Sequence, residues 1–333
     1  MNEPKNHHLV PRCYLKNFGV AQFKSGKPQY FVDTYDKNQN DKGVFRNNIK
    51  NACVEKDFYT FKGLADDQKL FLETFFAKTI ESFYSPIYKK LVNNDPLKLS
   101  NTERRILIDF CLHQFFRTSK VTNNFNEFWT NVLERGHDMM KAGSPFQLIE
   151  IEGERIIDFT GKTLNEVTKE ETQRNRERIN IENFQHARRL SALRKNDYVS
   201  VDRLDEDYHF ITSDNPCYMD GHPLNPETII RMPINSKFMI TIIPATHADP
   251  DLPRFGRSPM PPAMSEITMI QNNIYQIEKS ERTILGRQTD IIKSLRAMET
   301  FDVDTYIAKV VKITEAMQKT ISVLEKIKAA KSF

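Results

Sequence analysis

Glycine is scarce in this chain, 11 among 333 residues, and tryptophan occurs once. So little glycine excludes a Gly-rich repeat, and no low-complexity segment or internal repeat is present. There is no G-x-G-x-x-G loop and no G-x-x-x-x-G-K-[ST] loop, which disfavours nucleotide-cofactor chemistry. A G-x-S-x-G elbow is also missing, so acyl transfer of the α/β-hydrolase kind has no nucleophile. The four cysteines, Cys13, Cys53, Cys111 and Cys217, are widely and irregularly spaced with no C-x-x-C pair. Neither a zinc site nor a disulfide framework is indicated, and no thiol sits in a recognisable catalytic motif. No run approaches the roughly 18 uncharged apolar residues of a membrane span. The N-terminal residues Met1–His8 lack the apolar core of a signal peptide. The expectation is a protein of the reducing cytoplasm with no membrane partner.

What is present is ordinary globular material. Apolar residues make up 39% and charged residues 28%, and 23 phenylalanines supply ample core. The length suggests about two domains, or one large domain with additions. A net charge of +4 is a mild bias, compatible with nucleic acid but equally with a mixed solvated surface.

Along the chain, Tyr30–Tyr35 has strand composition, 36–42 reads as a polar hairpin loop, and 43–46 begins the return strand. A helix over about 67–92 carries Ile80, Phe83, Ile87 and Leu91 at helical spacing, and Pro86 should kink or interrupt it. Ser100 and Glu103 form a capping box that starts the next helix, which runs to about Lys120. That helix is apolar on two sides, with Ile108, Leu112 and Phe115 on one and Ile106, Leu107 and Phe110 on the other. It should therefore be buried on both. Gln114 and Arg117 share the second side, and a buried guanidinium needs a carboxylate or an anionic ligand, so Arg117 is expected to face Glu81 or Asp214.

A helix over about 123–141 and a strand pair over 147–163, turning at Glu152-Gly153-Glu154, follow. The helix over about 168–195 is the most basic stretch. Arg174, Arg178 and Arg189 could make a stripe for phosphates or simply a solvated face. Strands are expected near 198–201, 208–212, 229–232 and 238–243, a loop over 244–263, and a helix over about 264–287. Because strands cluster rather than alternate with helices, the fold class is α+β with a mostly antiparallel sheet packed against several long helices. Residues 302–330 repeat apolar positions at a three-four spacing, from Val303 and Tyr306 to Leu324 and Ile327, the seam of a heptad-patterned C-terminal helix. Such a helix must lie on its own domain or on a second copy, making a homodimer.

The sharpest local feature is Phe210–Pro216, Phe-Ile-Thr-Ser-Asp-Asn-Pro. It reads as a strand end followed at once by a hydroxyl, a carboxylate and an amide, and Pro216 keeps it from running into a helix. Such a cluster can bind something, or can simply hold a turn.

These pieces together resemble a family of bacterial proteins known as DUF4238. The matching stretches are His7-His8-Leu9-Val10-Pro11 with Tyr14–Phe18, then Glu55–Tyr59, Glu73 and Glu81, Gln114–Thr118, Phe210–Pro216 and Asn273. The likeness spans about 5–285, leaving 286–333 as a C-terminal helical extension. Arg12-Cys13 and Ser119 depart from the family's pattern. The resemblance implies an architecture and no reaction. It singles out His7, His8, Glu81, Gln114, Arg117, Ser213, Asp214 and Asn273. Were they to converge beside an open cleft, a base, carboxylates able to hold a divalent metal ion and a cation for a phosphate would be at hand. The candidate catalytic set is then His8, Arg117, Asp214, Gln114, Ser213 and Asn273, with His7, His8, Glu81 and Asp214 as metal candidates. The reaction it suits is phosphodiester hydrolysis of the nuclease kind, in bacterial defence or toxin activity. The alternative is a non-catalytic module binding nucleic acid or protein, in which the same cluster is structural.

Overall fold

The computed structural model describes residues 6–61, 65, 68–93, 98–142, 148–151, 155–159, 161–222, 225–247 and 253–330. The chain opens with β1 (Asn6–His8) and the one-turn helix α1 (Arg12–Leu15). A hairpin follows, in which β2 (Val20–Lys24) turns through Ser25 and Gly26, at φ of 51° and 75°, into β3 (Lys27–Asp36). Glycine tolerates that left-handed corner without steric cost. In β3 the buried residues are Val32, Thr34 and Asp36, the period of two that a half-covered strand requires. A 3-10 turn over Lys37–Lys42 leads to β4 (Val44–Asn48), and β5 (Val54–Lys56) pairs back on β1.

The expected first helix is divided. Helix α2 (Phe71–Phe75) passes through a π-helical turn, Phe76–Glu81, into α3 (Ser82–Asn93). Pro86 lies inside α3 without ending it. Its ring is exposed, where water can serve the carbonyl that the missing amide leaves free. Helix α4 (Asn101–Phe116) starts on the Ser100–Glu103 capping box and stops four residues before Lys120, because Thr118 is the extended N-terminal cap of α5 (Ser119–Lys141). A short hairpin of β6 (Leu148–Ile151) and β7 (Arg155–Asp158) precedes α6 (Leu164–Leu193). The proposed Glu152-Gly153-Glu154 turn lies outside the described residues. A second capping box, Thr163 with Glu166, begins α6 four residues earlier than expected.

Next come β8 (Tyr198–Arg203), β9 (Thr212–Ser213), β10 (Tyr218–Asp220), β11 (Ile229–Pro233) and β12 (Phe238–Ile243). Of the 208–212 segment only Thr212 pairs as a strand, in β9 with Ser213. The expected loop over 244–263 contains β13 (Phe255–Pro259), which runs parallel to β8. Helix α7 (Pro262–Lys279) ends eight residues short of 287, and β14 (Thr283–Gly286) takes over as a strand. Helices α8 (Gln288–Glu299) and α9 (Val303–Ala330) finish the chain.

The class is α+β, with mostly antiparallel sheets. One sheet has the order β10-β11-β12-β8-β13, and another has β2-β3-β14-β9 with β4 also on β3. Strand β14 is central in the second, hydrogen-bonded to β3 on one side and β9 on the other. In β12, Met239–Ile242 are all buried, so this strand is covered on both faces and reads as a continuous apolar run. Helix α4 is likewise buried on both sides, as its two apolar stripes require, and stacks Phe110 on Tyr84 of α3 at 3.9 Å between ring centres. Arg104, 1% exposed, donates to the carbonyls of Lys195 and Asp197 in the turn between α6 and β8, satisfying backbone oxygens that lie outside any helix. Ile291 of α8 joins Ile211, Ile277 and Ile284 in one apolar cluster. On α9, Tyr306 and Lys309 reach back to the Ile267 carbonyl and to Glu266 of α7, while Val303, Ile307 and Val311 stay about half exposed. Side chains in the far half of its seam lie outside the described residues.

His113 of α4 packs among Phe75, Phe76 and Phe184, with Arg117 and Arg188 also near, and burial pushes its imidazole down to about 3. The unfolded chain takes up this proton near pH 6.5 and the folded chain near 3. Between those values the unfolded state holds more protons, so stability falls as pH falls, by up to about 1.4 kcal/mol per pH unit. Urea unfolding from pH 7 to 4 should show this loss, and His113→Phe should flatten it; an unchanged slope in the variant would refute the assignment.

Candidate functional site

Two polar networks hold the residues singled out from the sequence. The first is built on Phe210–Pro216. Strand β9 has β14 on one edge only, so the backbone of Ile211 lacks a strand partner. Helix α7 supplies one from side chains. Asn273 Oδ1 accepts the Ile211 amide at 3.0 Å, and Asn272 Nδ2 donates to the Ile211 carbonyl at 3.1 Å. Asn273 Nδ2 also donates to the His209 carbonyl and to Ser294 Oγ. One turn on, Gln276 Nε2 donates to the Pro216 carbonyl and its Oε1 accepts from Ser213 Oγ at 2.6 Å. Positions 272, 273 and 276 share a helix face, and that face acts as an extra strand. This is why Ile211 does not register as a strand residue although its amide and carbonyl are both satisfied.

Asp214 closes the same corner. Its Oδ1 accepts the Glu281 amide at 2.9 Å, and its Oδ2 accepts the Arg282 and Thr283 amides at 2.7 Å each and the Thr283 hydroxyl at 3.2 Å. Burial pushes this carboxyl up, while those four donors oppose the shift. The carboxylate therefore stands in the turn between α7 and β14, fully engaged. Asn215 is tied to the Ser213 hydroxyl through its amide, and its Oδ1 takes the Thr118 hydroxyl at 3.4 Å. Tyr14 Oη donates to the Pro233 carbonyl at 2.6 Å and lies 2.7 Å from Thr212 Oγ1, so the N-terminal motif is bolted to β9 as well.

The second network surrounds Arg117, 4% exposed at the end of α4. Its Nη1 pairs with Glu81 at 3.0 Å and its Nη2 donates to the His8 carbonyl at 2.6 Å. Its guanidinium lies 4.2 Å from the Phe76 ring centre. Burial opposes its charge, but Tyr59, Glu81 and Glu73 outweigh this and hold it more firmly cationic than usual. Tyr59 Oη donates to the Arg117 carbonyl, the Tyr59 amide donates to His7 Nδ1, and Gln114 Nε2 donates to the Leu9 carbonyl. Helix α4 thus anchors the N-terminal strand through Gln114 and Arg117. Burial and Arg12 push the His8 imidazole below its ordinary value, and burial raises the Glu73 carboxyl. Among the described residues His8 Nε2, Glu73 Oε2, Arg117 Nε and Gln114 Oε1 are buried atoms with no hydrogen-bond partner.

Arg117 therefore faces Glu81 and not Asp214. His8 and Arg117 meet, while Asp214 belongs to the other network and shares no hydrogen-bond partner with either. Among the described residues no three His, Cys, Asp or Glu side chains gather as a metal site, so His7, His8, Glu81 and Asp214 do not assemble as ligands. Cys13 is pushed up to about 12 by burial and by Glu81, which keeps that thiol protonated. On α6, Arg178 is salt-bridged to Glu182, Arg189 is exposed, and the Arg174 side chain lies outside the described residues. Arg178 is therefore opposed by a carboxylate.

Between the networks opens a polar cleft of about 550 Å³, walled by β3 and β4, the start of α5 and the turn held by Asp214. Its charged groups are paired. Asp36 meets Arg282 at 2.7 Å, which holds its carboxyl below the ordinary value. Glu281 meets Lys120 at 3.2 Å and Asn123 at 2.9 Å, and Glu55 meets Arg176 at 3.4 Å. What remains is neutral: Asn38, Asn47, Asn51, Ser119 and the ring of Phe45. The sequence carried no signal for this cleft, since its amides are dispersed over three elements.

The fold and these networks define an α+β protein whose polar motif is an internal latch beside a cleft whose charged groups are engaged within the chain. The chain belongs to the DUF4238 family, whose model, described as a protein of unknown function, matches residues 6–290. That match contains every residue of both networks except Ser294 of α8. No curated protein and no solved structure matches the chain.

Asp214→Asn removes a charged acceptor from four donors and should cost about 2–4 kcal/mol, since bonds to charged groups are worth roughly 1.5–3 each and do not add fully. Arg117→Met leaves Glu81 without its partner and should cost about 2–4 kcal/mol, less than a fully buried pair because Glu81 is 24% exposed. Arg117→Met combined with Glu81→Leu should recover most of that loss in urea unfolding. A double variant no more stable than the single one would disprove a structural pair.

Proposed function

We propose that the protein is a non-catalytic binding module and that the polar cleft takes the hydrogen-bonding edge of a neutral ring, a nucleobase of a single strand. The observation that carries this reading is the engagement of Asp214 and Asn273: four donors hold the Asp214 carboxylate, and both ends of the Asn273 amide bond within the chain, while the guanidinium of Arg117 is tied to Glu81 and the His8 carbonyl. Groups so engaged cannot also move protons or clamp a phosphate without unfolding their own supports. The free capacity lies in Asn38, Asn47, Asn51 and Ser119, each of which can donate and accept, with Phe45 offering a face for stacking. Arg176 stands at the rim paired with Glu55, so the cleft offers a base its edge and a ring rather than a cation for the backbone.

A second reading, phosphodiester hydrolysis of the nuclease kind, is favoured by one observation. His8 Nε2 and Glu73 Oε2 are buried and unpartnered beside Arg117, and burial keeps His8 neutral enough to act as a base. A divalent metal ion is the cofactor this reading would add. Pairing with a second copy through residues 302–330 is a separate proposal, supported by the apolar edge of Val303, Ile307 and Val311. Light scattering of the full chain against one lacking 302–330 tests it, and equal monomer masses would end it.

Labelled single-stranded RNA, single-stranded DNA and tRNA, with and without Mg²⁺ or Mn²⁺, distinguish the two main readings. The module should bind a single strand without cutting it, and Asn47→Ala with Asn51→Ala should weaken binding roughly tenfold, as losing one base contact does. Scission that disappears in His8→Ala and in Glu73→Gln, with the fold intact, would replace the module by the hydrolase. Absence of binding to all three would end the nucleobase reading.

A further inference from the structure

Away from both networks, positive charge gathers where the start of α4 meets the end of α6. Arg104 is buried there against the Lys195 and Asp197 carbonyls, and burial and the nearby charges of Arg254 and Arg105 push its guanidinium below its ordinary value. Around it Arg105, Lys195 and Arg254 are exposed, and Arg254 Nη1 donates to the Asn196 carbonyl at 3.1 Å. Arg189 and Leu193, one turn apart on the exposed face of α6, lead up to Asn196. The carboxylates beside these cations are taken. Asp197 pairs with Arg194 at 2.5 Å and accepts the Ala245 amide, Glu103 pairs with Lys90, and Asp109 accepts the Ser191 hydroxyl with Arg188 near it. Arg105, Arg189, Lys195 and Arg254 form no ion pair among the described residues. Asp249 and Asp251 lie outside the described residues, and the four cations outnumber that pair.

Unpaired cations close together, beside carboxylates that are already engaged, set up a field that attracts a polyanion. Three of the four are arginines, whose planar fork matches the oxygens of a phosphate. A bilayer surface needs a broad apolar face beside the charge, and Leu193, 78% exposed, is the one large apolar side chain exposed on α6 among the described residues. We infer that this surface docks the phosphate backbone of a nucleic acid, Arg105, Arg189, Lys195 and Arg254 each meeting a phosphate. Contacts of this kind position a strand and carry no sequence preference. The surface shares no residue with the polar cleft, and Arg105 stands roughly 16 Å along the axis of α4 from its far end, where the cleft begins. It is therefore independent of the nucleobase reading.

A DNA duplex of about 20 base pairs tests it on the full chain, because its bases are paired and offer the polar cleft no free edge. The duplex should bind, and its association constant should fall roughly a hundredfold between about 50 and 200 mM salt, as four phosphate contacts require. Arg105→Gln combined with Lys195→Gln should reduce that fall to roughly tenfold. Lys56→Gln combined with Lys169→Gln removes the same charge from exposed positions elsewhere and should leave the fall at roughly a hundredfold. All four side chains are exposed, and an unchanged urea midpoint checks that each variant is folded. A duplex that does not bind at the lower salt would overturn the surface. A salt dependence that Arg105→Gln with Lys195→Gln leaves untouched would overturn its location. Attachment to vesicles of phosphatidylserine and phosphatidylcholine in place of the duplex, lost in the same variant, would overturn the nucleic-acid partner.

Discussion

A strand edge without a strand to cover it is the constraint on which this structure turns. Beyond the two residues of β9, the backbone at Ile211 is buried beside β14 and must find a donor and an acceptor or lose the free energy of two hydrogen bonds. Asn272 and Asn273 provide them from a helix, and Gln276 on the same face extends the pairing to the Pro216 carbonyl and the Ser213 hydroxyl. An amide side chain presents a donor and an acceptor on separate atoms, as a peptide group does, whereas an aspartate carboxylate can only accept and a serine hydroxyl puts both on one oxygen. Helix α7 is thereby fixed in rotation and depth against β9. The turn after it is then fixed by Asp214, which receives three consecutive backbone amides. Strand β14 can take its central place in the sheet only because that turn is held.

The second constraint is the buried charge of Arg117. It is a poor source of stability by itself, because desolvation offsets much of the attraction to Glu81. Its value is geometric. One guanidinium joins the π-helical turn before α3, the end of α4 and the main chain of β1, three segments distant in sequence. Gln114, one turn earlier, makes a parallel bond to Leu9. Thr118 and Tyr14 then link this network to the first. A polar motif dispersed over the chain can thus serve as a set of mutual supports, and it looks from the sequence much like a dispersed catalytic set. What separates the two is whether any group keeps an unused lone pair or proton. Both oxygens of Asp214 are engaged, whereas around Arg117 the buried atoms Arg117 Nε, Gln114 Oε1, His8 Nε2 and Glu73 Oε2 are without a partner among the described residues.

The residue pattern carried a good deal of this. The two apolar stripes of α4 required burial on both sides, and Arg117 at its end therefore required a carboxylate, which is Glu81. The alternation in β3, the Ser100–Glu103 box and the turn-forming run Ser213-Asp214-Asn215 act within a few residues, so local physics specifies them. Other features escaped. Thr283–Gly286 continues the pattern of α7 closely enough to pass for helix, and Phe255–Pro259 sits in a proline-rich stretch that reads as loop. Both are strands because a neighbouring strand, remote in sequence, offers an open edge.

By itself, then, the sequence determined the α+β class, the long helices with their capped starts, and the need for Arg117 to be paired, since propensity, periodicity and the cost of a buried charge are properties of short stretches. Tertiary structure alone decided which partner each polar group meets. Asp214 stands 67 positions from Glu281, and Ile211 stands 62 from Asn273. A hydrogen bond depends on separations of about 3 Å and on direction, and no local pattern encodes where two distant segments come to lie. The same holds for the polar cleft, whose walls come from elements that meet only when the sheets close.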